Sequence, residues 1–414
     1  MSIEVLLAIV FVAVLVAIQL VSTAIAIVRC PPGARPAAVS GPHPGISIVR
    51  PLCGLETFSA QTLEATFAID WPEYEVLFCV ADADDPIVGL ARAAIAKHPE
   101  IPARLLIGAE RLGSNPKLNN MASGWRAARY DIVVFTDSNL LVGADYLHRL
   151  MASWRDGAGM VTSPAFGASP QGFWAHVECA MLNTYQARIQ YAVDTLGFGF
   201  AQGKSLMFRR RDLERGGFET LASEPAEDAA STKMMRSKAA DIAVAGPPYP
   251  QPLGHRTFRQ VWNRHLRWAR LRRASFPVLF APEIFSGVLP PVAAVLFVAV
   301  ELGWSPLLAG AGLLGVWYVP ELLLARIAGW PLAWTSLPAV VLRDALLPVL
   351  YCSAFSGRSV SWNGNQVDLN AMPKNRSPEL TPRLRPQLLS AVILAGSLRM
   401  PRVASHLQRL ADRF

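Results

Sequence analysis

Apolar positions fall along this chain in three regimes. From residue 3 to 28 they form an almost unbroken run, interrupted chiefly by Glu4 and Gln19. Such a run exceeds the roughly 20 residues that span a bilayer. It is too long for a cleaved signal peptide and lacks the basic start of one, so residues 1–28 predict an N-terminal transmembrane helix. Arg29 and Arg35 follow directly, and an excess of basic residues beside a span marks its cytoplasmic side. Residues 29–45, rich in Pro and Gly, read as a linker.

From residue 46 the pattern shortens. Ile46–Arg50, Glu75–Val80, Arg104–Ile107 and the run that stops at Asp137 read as strands, separated by helical periodicity near 59–69, 86–98 and 117–128. A βαβαβα order of this kind predicts an α/β domain with a mostly parallel sheet of nucleotide-binding type, over 46–275. Lipid-like composition returns within 276–356. Windows 283–302 and 304–325 are long enough to span, and a third apolar segment, 331–356, carries Arg343-Asp344 near its middle. An adjacent opposite pair at that depth pairs, faces the bundle interior or marks a re-entrant bend. The tail 357–414 is rich in arginine, which favours the cytoplasm. With the α/β domain on the same side, parity predicts two C-terminal spans plus an interfacial or re-entrant third segment.

Composition agrees with a multi-pass protein. Of 414 residues 52% are hydrophobic and 17% charged, with a mean hydropathy of +0.29. A net charge of +8 suits nucleic acid, an anionic membrane surface or a phosphorylated ligand. The five cysteines are scattered, without CxxC or metal-like spacing, as in a reduced, cytosol-facing protein.

Several polar clusters carry chemistry. Asp82 and Asp137 each close a strand, and acids at the carboxyl edge of one open sheet converge on the crevice where ligands bind. Asp84 and Asp85, before Pro86, suit the start of a helix. In Asn115-Pro-Lys117-Leu-Asn119-Asn120 a lysine and two amides open a helix, a position that favours anions. Glu227-Asp228 opens another helix, where a carboxylate is either a capping charge or a general base. On a helix, Arg264, Arg267 and Trp268 share one face. Two guanidiniums there can clamp a diphosphate and the indole can stack on a ring. Arg270, Arg272 and Arg273 then meet the lipid surface, and the adjacent membrane segment disfavours nucleic acid as a partner. Gln202-Gly203-Lys204-Ser205 fails as a phosphate-binding Walker loop, because the register needs Gly where Phe198 stands. The helical stretch 171–192, with Glu178, Tyr185 and Gln186, reads chiefly as core packing.

Together, Asp82, Asp137, Asp228 and Arg264-x-x-Arg267-Trp268 resemble the D, D, D, (Q/R)xxRW signature of membrane-bound family 2-like glycosyltransferases. The likeness is closest to the ceramide glucosyltransferases of family 21 and their bacterial relatives, hopanoid-modifying enzymes included. Supporting stretches Asp84-Asp85-Pro86, Asn115–Asn120, Asp137-Ser138, Gln171-Gly-Phe173 and Glu227-Asp228 follow in family order over roughly 45–275. The resemblance implies a GT-A fold on the cytoplasmic face of a membrane, the inner membrane in a bacterium. It implies a UDP-sugar donor, carrying glucose or N-acetylglucosamine, and a lipid hydroxyl as acceptor on a ceramide-type sphingolipid, a hopanoid or a diacylglycerol. Asp82 would bind the uridine, with Lys117, Asn119, Asn120 and Glu227 in the same donor site. Asp137 would face the diphosphate with Mg2+ or Mn2+, Asp228 would be the general base, and the arginine–tryptophan helix would close over the diphosphate.

The chain departs from the pattern at Asn139, where a DxD motif has its second carboxylate. An amide is the weaker ligand for a hard cation, and His255 is the candidate for a further one. It also lacks the His-Pro near Gln186 and the Cys near Ala201 of eukaryotic ceramide enzymes. A processive polysaccharide synthase shares the carboxylates but needs more membrane helices for its tunnel. A non-catalytic membrane protein binding lipid or nucleotide leaves the three aspartates without a role.

Overall fold

The computed structural model describes residues 1–31, 33, 43–213, 216–357, 359–362 and 365–369. Most of the expected linker, Arg35 included, and nearly all of the expected basic tail lie outside the described residues.

Nine strands build the α/β part: β1 Ile46–Leu52, β2 Tyr74–Val80, β3 Ala103–Ile107, β4 Ile132–Thr136, β5 Ala158–Thr162, β6 Ala165–Gln171, β7 Ser205–Arg209, β8 Asp241–Val244 and β9 Tyr249–His255. Seven of them form one sheet in the order β3-β2-β1-β4-β7-β5-β8. β1, β2 and β4 are buried along their whole length, as parallel strands covered on both faces must be. Side chains alternate between two apolar layers. Ile46, Ile48, Val76, Phe78 and Val134 enter one, while Val49, Leu77, Val133 and Phe135 enter the other, following the two-residue period of a strand.

One strand runs against the rest. β7 pairs antiparallel with β4 on one side and β5 on the other. Its first residue, Ser205, therefore lies opposite Thr136, the last residue of β4. The residues just before β7 are thereby delivered to the carboxyl edge of the parallel strands. β6 and β9 form a separate parallel pair beside the main sheet.

Helices alternate with the strands as the pattern predicts: Ser59–Phe67, Ile87–Lys97 and Pro116–Ala127. The last is started by Asn115, whose side chain accepts a hydrogen bond from Leu118 N, with Pro116 at the first helical position.

Among the described residues three helices are long and apolar enough to cross a membrane: Ile3–Arg29, Pro306–Ile327 and Ser336–Ala354. A further pair, Pro277–Phe285 and Leu289–Glu301, is bent by 44° at a short break. The irregular segment is thus the first of the C-terminal group rather than the third. Two prolines, Pro290 and Pro291, and Gly287 at φ +83° sit at that break, where helix continuity is least favoured. Arg343 and Asp344 are both buried inside the bundle. Arg343 pairs with Asp344 and with Glu321 of the preceding helix (Nη1 to Oε2, 2.8 Å), and Gln19 of the N-terminal helix donates to the same Glu321 (2.6 Å).

Candidate active site

The crevice at the carboxyl edge of the sheet is built on Asp137, immediately after β4. Its backbone N–H donates to Lys204 O (3.1 Å), continuing the β4–β7 pairing one step past the strands. That step sets the Lys204 side chain against its carboxylate. Lys204 Nζ lies 2.9 Å from Asp137 Oδ2 and 3.1 Å from Asn139 Oδ1. On the other side Lys117 Nζ, at the start of its helix, lies 2.5 Å from Asp137 Oδ1 and 2.5 Å from Glu227 Oε1, and donates to Gly203 O (2.8 Å). Burial alone would raise the Asp137 carboxyl, but the two ammonium groups outweigh it and hold it well below the usual carboxylate range. Burial likewise opposes the Lys117 charge, and Asp137 with Glu227 more than restores it.

Glu227 is fixed from its other oxygen by Asn115 Nδ2 (3.2 Å), so the residue that caps one helix also holds the acid that opens the next. Gly203 is required by this packing: a Cβ there would come within 2.5 Å of Glu227 Oε1. Asp228 follows on the same helix, half-buried. Burial and the neighbouring Glu227 charge push its carboxyl up to about 6, against backbone hydrogen bonds from Ala229 and Gly203 and the Lys117 charge. A carboxylate of that basicity beside a cation-rich crevice has the properties of a general base.

The remaining expected residues divide. Asp82 lies exposed at the end of β2, its Oδ1 accepting from Asp84 N (3.0 Å), and Asp85 accepts from Gly54 N and Ile87 N at the start of its helix. Asn119 and Asn120, expected as donor contacts, hydrogen-bond the protein's own backbone, while the buried Asn120 Oδ1 has no partner among the described residues. Asn119 holds the loop at Leu112 and Gly113. Asn120 Nδ2 donates to Leu52 O (3.3 Å) and Cys79 O (2.9 Å), joining the ends of β1 and β2.

The helix Phe258–Ser275 is started by a Thr257–Gln260 capping box, and its expected single face is shared between two tasks. Arg264 pairs with the buried Glu178 (2.6 Å), which Arg256 also approaches (3.2 Å). Trp268 packs on Cys179, Leu182 and Leu253. Arg267 is the member that acts electrostatically with the crevice carboxylates. Burial and Arg264 lower it to about 10, while the charges of Asp137 and Glu227 act to raise it. Nor do the last arginines face outward as expected. Arg272 makes two 2.8 Å bonds to Glu283, Arg270 donates to Ser359 O, and Arg273 stacks over Phe355. The desolvated Arg272 guanidinium needs such a partner, and Arg272 and Arg273 tie this helix to the membrane segments.

Asp137 and Asn139 converge two hard oxygens on one cation, here the Lys204 ammonium. That donor set suits a divalent ion whose other ligands come from a diphosphate. His255, the further ligand expected, ends β9, exposed and beside Gly172. Among the described residues no three His, Cys, Asp or Glu side chains come together as a metal site. Sequence reasoning passed over Lys204, discarded with the failed Walker loop, and Glu178, read as core. Only the reversed direction of β7 reveals the first. A lone acid in an apolar helix was the available signal for the second.

The structure thus sets a cation-bridged carboxylate cluster at the edge of a mostly parallel sheet, in a chain whose helices include some long and apolar enough to cross a membrane. The chain belongs to glycosyl transferase family 21, whose pattern it matches over residues 9–374. It is 32% identical over 250 residues to ceramide glucosyltransferase 1 of Caenorhabditis elegans, covering 58% of this chain and 52% of that one. With the ceramide glucosyltransferase of Komagataella phaffii it shares 38% identity over 109 residues, 25% of this chain and 21% of that one. The chain thus spans about half the length of the Caenorhabditis elegans relatives it matches. Among solved structures it is similar to the mannosyltransferase PcManGT from Pyrobaculum calidifontis in complex with GDP-Man and Mn2+. Identity there is 18% and the TM-score 0.49, over 86% of this chain and 99% of that one.

Proposed function

We propose that the protein is an inverting hexosyltransferase that moves glucose or N-acetylglucosamine from a UDP-sugar to a hydroxyl of a membrane lipid, at the cytoplasmic face of a bacterial inner membrane. The carrying observation is Asp228, a carboxyl raised to about 6, set beside the Lys117–Asp137–Glu227–Lys204 cluster. Asp228 takes the proton of the acceptor hydroxyl, whose oxygen bonds to the anomeric carbon as the bond to the diphosphate breaks on the opposite face. Lys117 and Arg267 stabilise the charge that gathers on the leaving UDP. Asp82, exposed at the end of β2, meets the uridine.

In the crevice Lys117, Lys204 and Arg267 balance Asp137, Glu227 and Asp228, so an arriving diphosphate brings uncompensated negative charge. A Mg2+ or Mn2+ ion held by Asp137 and Asn139 would supply that compensation. Lys204 keeps the two oxygens aligned until the donor is in place.

The test uses membranes containing the full chain, labelled UDP-glucose or UDP-N-acetylglucosamine, and ceramide, diacylglycerol and hopanoid acceptors. Lipid-linked label that disappears in Asp228→Asn supports the reading. Chloroform-insoluble polymer would make the protein a processive synthase, and no transfer from either donor would leave it a binding protein. Asp137→Ala is expected to abolish transfer with circular dichroism unchanged. Wild-type turnover in that variant across Mg2+ and Mn2+ titrations would overturn the metal assignment.

A further inference from the structure

Strand β1 carries one side chain that its apolar face does not account for. Ile46, Ile48 and Leu52 enter the same hydrophobic layer, and the two-residue period of a strand puts Arg50 among them. Arg50 is fully buried. Its Nη1 donates to Thr62 O (2.9 Å) and to Thr66 Oγ1, both on the helix Ser59–Phe67. Its Nη2 donates to Ser138 O (3.1 Å) and Leu140 O (2.6 Å), and Nε alone has no partner. None of these partners is a carboxylate. Burial lowers the guanidinium to about 10, with Tyr146 and Asp137 acting to raise it, so it is charged at any working pH. A buried charge without an ion-pair partner destabilises a fold, and an apolar side chain of similar volume would serve the core better. Such a residue calls for a task.

The task lies in the turn after β4. Backbone groups satisfy its N–H donors: Asp137 N bonds Lys204 O (3.1 Å), Leu140 N bonds Asp137 O (3.2 Å) and Leu141 N bonds Pro250 O (2.9 Å). Arg50 takes the carbonyls. Ser138 and Leu140 are the two neighbours of Asn139, so a single nitrogen of the guanidinium holds the backbone on both sides of that residue. On the crevice side Asn139 Oδ1 and Asp137 Oδ2 meet Lys204 Nζ. The planar fork lets Nη1 rest on the helix while Nη2 holds the turn, a division that the point charge of a lysine lacks. An amide stands at 139 where a carboxylate would bind a hard cation more strongly. Fixing such a ligand in place beforehand reduces the entropy lost on binding.

Resting on the reading that Asp137 and Asn139 face the donor's diphosphate, we propose that Arg50 is a positioning residue for donor binding. By gripping the carbonyls on both sides of Asn139, it holds the amide oxygen beside the Asp137 carboxylate, ready for the cation that accompanies the diphosphate. Arg50 acts through Asn139 and does not itself touch the donor.

The experiment titrates the purified full chain in nanodiscs with UDP in the presence of Mn2+, by calorimetry. Arg50→Lys keeps the charge and loses the fork. It is expected to weaken UDP binding about 10–100-fold, as the loss of a residue that orients a metal ligand does. In an Asn139→Ala background the same change should cost nothing further, because the residue it acts through is gone. A lower melting temperature with UDP affinity unchanged overturns the proposal and leaves Arg50 a core residue only. An equal loss in both backgrounds overturns it too, since Arg50 would then act by another route. Should Arg50→Lys not fold, Thr66→Val removes one anchor of Nη1 and keeps the guanidinium. A loss of affinity confined to the background that retains Asn139 then supports the proposal, and no loss rejects it. If wild-type protein binds no UDP with Mn2+ or Mg2+, the functional reading fails and hydrogen exchange judges the positioning. Faster exchange at Leu140 and Leu141 in Arg50→Lys, with β3 unchanged, supports it, and exchange equal to wild type, or faster throughout, rejects it.

Discussion

Asp228 is raised to about 6 because its charge is half-buried and sits beside Glu227. Ionising it costs the folded state free energy, a cost absent below the ordinary value of 3.8 and complete above about 6. Two opposite consequences follow from one substitution. Asp228→Asn removes the base and should lower kcat by about 10²–10⁴-fold. It also removes the buried charge, so its melting temperature at pH 7–8 should be equal to or above that of wild type, with the two converging near pH 4. Differential scanning fluorimetry across that range checks the sign. The same group predicts an acid limb in kcat/KM near pH 6, since the base works only when deprotonated. A profile flat from pH 5 to 8 would remove Asp228 from that role.

At the scale of an element, the helix Phe258–Ser275 separates two arginines that its periodicity places together. Arg264 neutralises Glu178 within the protein, while Arg267 acts electrostatically with the crevice carboxylates. Arg264→Ala leaves Glu178 buried with only Arg256 near it, a change expected to cost up to about 3–5 kcal/mol of stability. Arg267→Ala should leave the melting temperature within a few degrees but depress kcat/KM for the donor. Measuring melting temperature and donor kinetics on both variants separates the roles. Equal behaviour in the two would contradict this division. Here the sequence was legible for the presence of the helix, its cap and its basic face. It was silent on which arginine does what, because Glu178 approaches from a helix 86 positions away in the chain.

Across the whole molecule, the membrane helices are joined by charge as well as by apolar packing. Gln19, Glu321, Arg343 and Asp344 form a buried network, with Tyr318 OH and Val288 N completing Asp344. In lipid such groups persist only when paired with one another. Arg343→Met should therefore impair folding severely, leaving Asp344 without its paired guanidinium and Glu321 with the more distant Arg188 (4.0 Å). Adding Glu321→Gln should recover part of the loss, and a double-mutant cycle on detergent-extracted protein measures the coupling. Strict additivity would mean the two residues act separately. Arg29 adds a second tie, pairing with Asp194 (3.0 Å) and donating to Val244 O (2.7 Å), so the end of the first helix is anchored to the α/β domain.

Much of this was determined locally. Hydrophobic period alone marked the first helix, β1 to β4 and the three helices between them, because each rests on contacts along one short segment. Family resemblance rested on acids at strand ends, which local patterning also places. Tertiary structure decided the rest. Lys204 enters the crevice only because β7 runs antiparallel, and strand direction is a property of the sheet, not of the strand. Asn119 has the chemistry to meet a ligand, but nearby backbone carbonyls and amides claimed it first, as two carbonyls claimed Asn120 Nδ2. His255 has the chemistry of a metal ligand, and the fold leaves it at the exposed end of β9, away from any such cluster among the described residues. Residue types set what each side chain can do, and the long-range pairing of the chain set which partner reached it.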